Sequence, residues 1–388
     1  MSETKKPFVY ADHAATTPIT ESVRAAMEPY LSTAFGNASA AYGAGRAASR
    51  AVLGARRRIA EVLGCQPKEI YFTSGGTESD NWAIKGTAFA HGLRGHIAYS
   101  ALEHHAVLHS VRFVGQLGMD ITEIGTDGDG IVTPDAVMAV MRDDTHLAAV
   151  MLANNEIGTI QPIADIARAV HERKSRLFCD AVQGMGQIPL DIPSLGVDML
   201  SLSGHKIGAP KGIGLLYVKE GTPLVPLLDG GGQEMHMRSG TENVAAIVGF
   251  AQAIEDVSSL SAVDRIRELQ AALFAGLRII PGCVVNGTTD VNKRLAGNVN
   301  VSFPGLDAES LVLHLDRAGI CCSSASACTA GVSAPSHVLL AIGRDAETAS
   351  SSLRFTLGAD NTREEVDYIA RTVSSIVERL YTESRAFV

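Results

Sequence analysis

Short apolar runs alternate with amphipathic helical stretches through the middle of the chain, and this alternation constrains the fold more than any other feature. Strands are predicted at residues 70–73, 97–99, 121–124, 147–153, 177–179, 197–202 and 215–218. Helical patterns lie between several of these runs, including residues 134–141 and 163–174. Such alternation is typical of an α/β domain with a mostly parallel central sheet covered by helices.

The pattern changes near residue 260 and predicts a second, smaller α+β domain. Helices are predicted at residues 242–260, 263–279, 309–318 and 363–381, with strands at residues 298–303 and 353–357. A chain of 388 residues is long enough to form two cores. The predicted large domain covers residues 15–260, and the predicted small domain combines residues 1–14 with residues 261–388.

Composition disfavours several classes of function. The chain has 33 basic and 42 acidic residues and a net charge of −9, which disfavours nonspecific binding to nucleic acids. Residues 1–7 lack the apolar core of a signal peptide, and the longest apolar runs are too short to span a membrane. The six cysteines form no C-x-x-C pair, so neither a zinc site nor a disulfide framework is indicated. We therefore expect a cytoplasmic protein with no nucleic-acid or membrane partner.

A single lysine, Lys206, follows the predicted strand at residues 197–202. It lies in the sequence Ser-Leu-Ser-Gly-His-Lys-Ile-Gly at residues 201–208, and a second glycine-rich stretch follows at residues 210–214. A lysine between buried strands loses its proton readily and can then form a Schiff base with a carbonyl. A surface-loop lysine is the more common interpretation of one isolated lysine, so the choice depends on the other residues nearby.

Polar residues also follow other predicted strands, where ligands collect in open α/β sheets. The sequence Ser-Gly-Gly-Thr at residues 74–77 opens a helix, whose N–H groups and Thr77 hydroxyl can hold a phosphate. The alternative there is a helix cap without a ligand. His104 follows another strand, where a histidine is usually structural but can stack on a cofactor ring. Asn155 follows the strand predicted at residues 147–153.

These groups match the chemical needs of pyridoxal phosphate. The pyridine nitrogen must stay protonated, and a buried carboxylate such as Asp180 favours that charged form. Gln183 can donate to the phenolic oxygen of the ring. Ser203 and His205 can bind phosphate beside Lys206. Each residue alone is weak evidence, but together they favour this cofactor.

With these motifs the chain resembles the pyridoxal-phosphate-dependent cysteine desulfurases of the NifS/IscS type, within the class V aminotransferase group. The resemblance runs nearly end to end, through residues 12–18, 73–81, 154–158, 203–214, 238–243, 323–329 and 354–357. It implies the fold of type I pyridoxal-phosphate transferases, with a large domain and a smaller C-terminal α+β domain. The implied cofactor-binding residues are Gly76, Thr77, Ser203 and His205 around the phosphate, Asn155 and Gln183 beside the ring, His104 stacked on the ring, Asp180 at the pyridine nitrogen and Lys206 as the covalent attachment.

The resemblance also implies residues that act on the substrate. Arg354 is expected to bind the substrate carboxylate with Asn155 nearby, and arginine suits this bidentate contact. Without the resemblance, Arg354 would be interpreted as a charge at the end of a strand. Lys206 is expected to take the Cα proton, and His104 to carry a proton in the same reaction.

Cys328 distinguishes this family from other users of the same cofactor. Residues 323–335 contain no charge, no aromatic ring and almost no large side chain, which predicts a mobile segment. Alone, a cysteine there would be interpreted as inert, but the resemblance implies a nucleophile that carries sulfur away as a persulfide. Ala325 stands where the family usually has glycine, and its effect is open. Cys321 and Cys322 are predicted to be core residues.

The implied reaction converts L-cysteine to L-alanine and transfers sulfur through Cys328 to an acceptor protein. The acceptor is open among iron–sulfur scaffold assembly, tRNA thiolation and cofactor synthesis. No intrinsic metal is expected, although Cys328 can transiently share an iron–sulfur cluster with a scaffold partner. The chain ends soon after the last predicted helix, whereas the IscS branch commonly carries a longer tail, which favours a NifS-like specialist or a different docking mode.

Three alternative functions use the same features. A class V aminotransferase would need no nucleophilic cysteine, and a selenocysteine lyase would use the same cofactor site. A non-enzymatic sulfur-relay scaffold is disfavoured because Lys206 and Asp180 are both present.

The glycine-rich residues 230–240 predict how the chain assembles. Thr241 directly precedes a helical pattern and is predicted to cap that helix and to offer its hydroxyl to an anion. The bland alternative is a cap alone. The resemblance implies that this segment reaches the neighbouring subunit and completes its phosphate site. We therefore expect a homodimer to which Thr241 contributes across the interface.

Overall fold

A computed structural model of the protein describes residues 7–324 and 335–386. Its strands are β1 (Val9–Tyr10), β2 (Ile70–Thr73), β3 (His96–Ser100), β4 (Asp120–Ile124), β5 (Thr145–Ala149), β6 (Arg176–Asp180), β7 (Met199–Ser203), β8 (Gly214–Val218), β9 (Val284–Val285), β10 (Asn298–Ser302), β11 (Ile320–Cys321), β12 (Ser323–Ser324) and β13 (Ser352–Thr356). Its helices are α1 (Glu21–Ser32), α2 (Gly43–Leu63), α3 (Gly76–Ala90), α4 (His105–Gln116), α5 (Pro134–Val140), α6 (Ile163–Glu172), α7 (Ile192–Leu195), α8 (Val244–Ser258), α9 (Val263–Arg278), α10 (Ala308–Arg317), α11 (His337–Ala341), α12 (Ala346–Ser350) and α13 (Arg363–Ala386).

The central sheet has seven strands in the order β2-β8-β7-β6-β5-β3-β4. The pairs that join β7, β6, β5, β3 and β4 are parallel, while β8 is antiparallel to both of its neighbours. Successive side chains enter cores on opposite faces, with Leu215 and Tyr217 on one face and Leu216 and Val218 on the other. Burial on both faces explains why these strands are continuous apolar runs in the sequence.

The rest of the chain forms a second core around smaller sheets. An antiparallel sheet has the order β12-β13-β10-β9, and β1 pairs with β11 in parallel. The apolar core beside them contains Val9 and Ala11 together with residues between positions 266 and 377. The N-terminal residues therefore pack with the C-terminal third of the chain. The domain boundaries at residues 14/15 and 260/261 stay a prediction.

Two predicted boundaries differ from the structure in ways that concern the site. The strand predicted at residues 147–153 ends at Ala149, after which an irregular buried segment continues along the sheet with the Leu152 N–H donating to the Asp180 carbonyl at 2.8 Å. Helix α8 begins at Val244, and the Asn243 side chain accepts from the Ala246 N–H at 3.2 Å. The predicted capping role of Thr241 is therefore wrong, because irregular backbone continues for two more residues.

Among the described residues, no helix taken singly has both the length and the apolar composition that a membrane crossing requires. Helices α8 and α9, which meet at a 73° bend, would satisfy those two requirements only if they were counted together.

Candidate active site

A cleft of about 520 Å³ opens at the carboxyl ends of the parallel strands, next to the small domain. This volume is in the range of small-molecule sites. Ten of the residues singled out in the sequence line it, namely Gly76, Thr77, His104, Asn155, Asp180, Gln183, Ser203, His205, Lys206 and Arg354. Thr241 is exposed and is not among the described residues that line the cleft of its own chain. The chemical roles of all these residues stay predictions.

Lys206 lies in a tight turn directly after β7. The Gly204 N–H donates to the Ile213 carbonyl at 2.9 Å, and a Cβ on Gly204 would lie 2.7 Å from the Ile213 side chain. Only glycine therefore fits where the turn packs against the following strand. The Lys206 Nζ donates to the carbonyls of Ala14 and Ala15 at 2.5 and 2.9 Å. The N-terminal segment thus fixes the position of the amine within the cleft.

Asp180 ends β6 at the floor of the cleft and is almost fully buried. Its Oδ1 accepts from the Val182 N–H at 2.9 Å. Burial raises the pKa of Asp180 to about 6, against the opposing effects of the Val182 hydrogen bond and of Lys206. A buried carboxylate here favours a cationic group that enters the cleft above it.

Two further buried carboxyl groups, which sequence reasoning missed, lie near Asp180. The Asp80 Oδ1 accepts from the Ser201 hydroxyl at 2.6 Å, and the Glu103 Oε1 accepts from the Met151 N–H at 2.6 Å. Burial, followed by the charge of Asp180, raises the pKa of both groups well above the ordinary range. The Glu103 Oε2 is buried and has no hydrogen-bond partner among the described residues.

The part of the cleft around the start of helix α3 suits an anion. Helix α3 begins at Gly76 after a glycine with a φ of +154°, and no side chain of the described residues caps it. Its first N–H groups lie in the wall of the cleft beside Ser203 and His205. Burial, and then the charges of Lys206 and Lys211, lower the pKa of His205 to about 4, so its ring is neutral at ordinary pH. Uncapped helix N–H groups next to hydroxyls suit a phosphate.

His104 caps helix α4 with its own ring. The Nδ1 atom accepts from the Ala106 N–H at 3.2 Å, so in the neutral ring the proton lies on Nε2. Burial, and then the nearby Lys206, lower the pKa of His104 to about 4. The cleft therefore contains a flat, uncharged ring, which suits stacking on a cofactor, and its proton lies on Nε2.

Arg354 projects from β13 and is held by the N-terminal segment. It donates from Nη2 to the Asp12 carboxylate at 2.9 Å and from Nη1 to the Asn155 carbonyl at 3.1 Å. Its Nε is buried without a hydrogen-bond partner among the described residues. One N–H of the guanidinium is therefore not used by any described residue. The partnership with Asp12 was not predicted from the sequence.

Comparison with known proteins decides the family. The model of the aminotransferase class-V family matches residues 9–369 of the chain. The chain belongs to this family. It is 46% identical to "Cysteine desulfurase IscS" of Methanosarcina thermophila over 97% of this chain and 94% of the relative. It is 44% identical to the protein of the same name from Dictyoglomus turgidum, over 98% of this chain and 97% of the relative.

Solved structures place the chain in the same part of the family. A structure described as a NifS-like protein has a TM-score of 0.90 and 36% identity, and covers 96% of this chain and 100% of that one. Within the class-V aminotransferases, the chain is thus a cysteine desulfurase of the NifS/IscS type. The predicted family, fold class, pyridoxal phosphate dependence and general activity are confirmed.

The residues present fit this family's cofactor. The cleft is lined by a buried carboxylate, by the start of a helix without a side-chain cap from the described residues, by a lysine and by a neutral imidazole. Cys328 and Ala325, by contrast, lie outside the described residues. The described residue Ser323 lines the cleft and donates to the second oxygen of Asp12 at 2.8 Å. Cys321 and Cys322 are both partly buried, and Cys322 packs against the core of the small domain.

Proposed function

We propose that the cleft around Lys206 removes sulfur from L-cysteine, that it leaves L-alanine, and that Cys328 accepts the sulfur as a persulfide. The observation that carries this proposal is the convergence of Lys206, Asp180, His104 and Arg354 on one cleft. When bound, pyridoxal phosphate supplies an electron sink for the carbon atom that loses its proton. The other tasks belong to residues of the chain.

Arg354 binds the carboxylate of the substrate and orients its Cα toward Lys206. Its place in the lining of the cleft supports this role, because a guanidinium can donate two parallel hydrogen bonds to an entering carboxylate. Lys206, in its neutral form, takes the proton from Cα. The carbonyls of Ala14 and Ala15 hold the amine where this transfer takes place.

The Cys328 thiolate attacks the sulfur of the substrate. An S–S bond forms and the C–S bond breaks, and its electron pair stays with the substrate carbon, which is protonated to the methyl group of alanine. We assign proton transfer in the cleft to the ring of His104, which lines the cleft together with Lys206. Sequence and family resemblance support the assignment of Cys328.

The sulfur then passes to an acceptor protein, and an iron–sulfur scaffold is the partner that we propose. The active form that we propose is a homodimer in which Thr241 completes the phosphate site of the other subunit. The exposure of Thr241, outside the cleft of its own chain, supports this arrangement. In a mixed dimer of Thr241→Asp and Lys206→Ala subunits, about half the activity should return, because one of the two symmetric sites is intact. No recovery would show that Thr241 serves its own chain.

The decisive experiment follows both products of the reaction. With cysteine and a thiol reductant, the wild-type protein should release equal amounts of alanine and sulfide. Cys328→Ser should lose nearly all of both products and keep the visible spectrum of the bound cofactor. Cys321→Ser is the matched control and should retain activity, because this cysteine lies on β11 and is not among the described residues that line the cleft. Equal sulfide from wild type and Cys328→Ser would remove Cys328 from the mechanism, and keto-acid-dependent alanine consumption without sulfide would indicate an aminotransferase.

A further inference from the structure

An acidic side chain lies at the end of the cleft that suits a phosphate. Glu78 is the third residue of α3 and lines the cleft together with Gly76 and Thr77. Its Oε2 accepts from the Ser74 N–H at 2.7 Å, so the carboxylate folds back over the loop that precedes the helix. A phosphate bound at this helix start would therefore share the N-terminus with a second anion, and like charges at this range repel.

Arg238 compensates the charge of Glu78 through a bidentate pair. Its Nε donates to Oε1 at 2.7 Å, and its Nη2 donates to Oε2 at 3.0 Å. The side chains of Arg238 and Glu78 are only 21% and 13% exposed, so solvent screens the pair weakly. Burial raises the pKa of Glu78, but hydrogen bonds from Arg238 and Ser74 outweigh it and leave the pKa below its ordinary value. Glu78 is therefore ionised at neutral pH.

The contact also joins two distant parts of the chain. Arg238 lies 160 residues beyond Glu78, in the segment that leads to Thr241. The positive charge that compensates Glu78 therefore comes from a residue outside helix α3. Lys206, Lys211 and His205 also line the cleft, and all three remain when Arg238 is removed.

We propose that Arg238 is a positioning residue for the phosphate of pyridoxal phosphate: it neutralises Glu78 and holds that carboxylate against Ser74, which leaves the start of α3 open to the phosphate. This inference rests on cofactor binding in the cleft, as proposed above. It makes a prediction that a merely structural ion pair does not make. Loss of Arg238 should weaken binding of the phosphate specifically, and neutralisation of Glu78 should repair the loss.

The test compares two ligands that differ only in the phosphate. Full-length protein stripped of cofactor is titrated with pyridoxal phosphate and, separately, with pyridoxal, and binding is followed by visible absorbance. Arg238→Met should weaken the affinity for pyridoxal phosphate about a hundredfold, as expected for unit charges about 6 Å apart at an effective dielectric constant near 20. The affinity for pyridoxal should change less than about threefold, which also shows that the variant is folded.

Charge neutralisation provides the second arm of the test. The double variant Arg238→Met/Glu78→Gln should regain most of the lost affinity for pyridoxal phosphate. Arg238→Lys should fall between wild type and Arg238→Met, because it keeps the charge but not the bidentate contact. Arg58→Met is the matched control: Arg58 forms a half-buried bidentate pair with Glu255 between α2 and α8, and its loss should leave both affinities unchanged.

Three outcomes contradict the inference. Equal losses for pyridoxal and pyridoxal phosphate in Arg238→Met would show a structural role only. A double variant as weak as Arg238→Met would show that Glu78 is not the group being neutralised. A loss of similar size in Arg58→Met would show a general effect of removing an ion pair. If wild type binds neither ligand, the proposed function itself fails, which is a different result.

Discussion

Two arginine–carboxylate pairs in this protein are buried to a similar degree but are completed very differently. In the pair Arg56–Glu234 the side chains are 8% and 4% exposed, and in Arg354–Asp12 they are 7% and 15% exposed. Arg56 binds both oxygens of Glu234, at 2.9 and 2.7 Å. Arg354 binds one oxygen of Asp12, and its Nε has no hydrogen-bond partner among the described residues.

The surroundings of the two pairs extend the contrast. Arg56 also donates to the Ile70 carbonyl and lies 4.7 Å from the centre of the Phe72 ring, while the Phe72 N–H donates to Glu234 at 2.8 Å. Such saturation leaves the pair nothing to offer a ligand, so it anchors structure. A buried donor without an acceptor costs free energy unless a ligand accepts its hydrogen bond. The pair Arg354–Asp12 therefore marks the binding site.

The largest effect is expected when the pair Arg56–Glu234 is broken. Arg56→Met should lower the free energy of unfolding by about 3–5 kcal/mol, because Glu234 is left as a buried carboxylate without its cation. Chemical denaturation measures this loss, and Arg56→Met/Glu234→Gln should recover part of it. The KM for cysteine of the protein that remains folded should be unchanged. A variant as stable as wild type would contradict the anchoring role.

Breaking the pair Arg354–Asp12 should lower enzymatic activity more than stability. Arg354→Met should lower kcat/KM for cysteine about a thousandfold, or about 4 kcal/mol, because the substrate carboxylate loses a buried charged partner. Steady-state kinetics measure this effect, and the cofactor spectrum serves as the control for an intact site. An unchanged kcat/KM together with a large loss of stability would place Arg354 in the same class as Arg56.

A smaller effect is expected at a third buried carboxyl group. This group accepts a hydrogen bond from a hydroxyl group and not from a guanidinium. Glu156 is buried and accepts from the Ser336 hydroxyl, and burial raises its pKa to about 7, against the hydrogen bond and the charge of Arg354. Because this pKa lies above the unfolded value of 4.5, the folded state holds the extra proton, and stability is lost as pH rises from about 4.5 to 7.

Glu156→Gln tests that relation because glutamine cannot titrate. Relative to this variant, wild type should lose up to about 3 kcal/mol of stability between pH 4.5 and pH 8. Denaturation measured in parallel at several pH values gives the difference curve. Parallel curves for the two proteins would show that Glu156 has an ordinary pKa, and thus that Arg354 or solvent compensates its charge.

The sequence was sufficient to bring the cleft residues to one edge of the sheet. Lys206, Asp180 and Gly76 each follow a strand whose apolar run is short and sharply bounded, and the carboxyl ends of parallel strands meet at one edge. The strand ends shifted by a few residues without moving these side chains out of the cleft. The positions of these side chains were thus predictable because they depend on the order of the strands and helices along the chain.

The partners of the charged residues were not predictable. Arg354 and Asp12 are 342 residues apart, and Arg238 and Glu78 are 160 residues apart, so no local pattern couples them. The prediction that Thr241 caps helix α8 was wrong for a different reason. Thr241 and Asn243 are both suitable capping residues, and the choice between them depends on where the irregular loop ends.

The turn that contains Glu234 has a consequence for the order in which the protein folds. Glu234, Met235 and His236 all have left-handed backbone angles, with φ values of 46°, 57° and 65°, and none of them is glycine. Left-handed conformations cost roughly 1–2 kcal/mol per residue, so this segment cannot hold its shape alone. Its anchor, Arg56, is 178 residues away in the chain and becomes available only after distant elements have packed. The segment that carries Arg238 and Thr241 should therefore mature late, after the sheet is already formed.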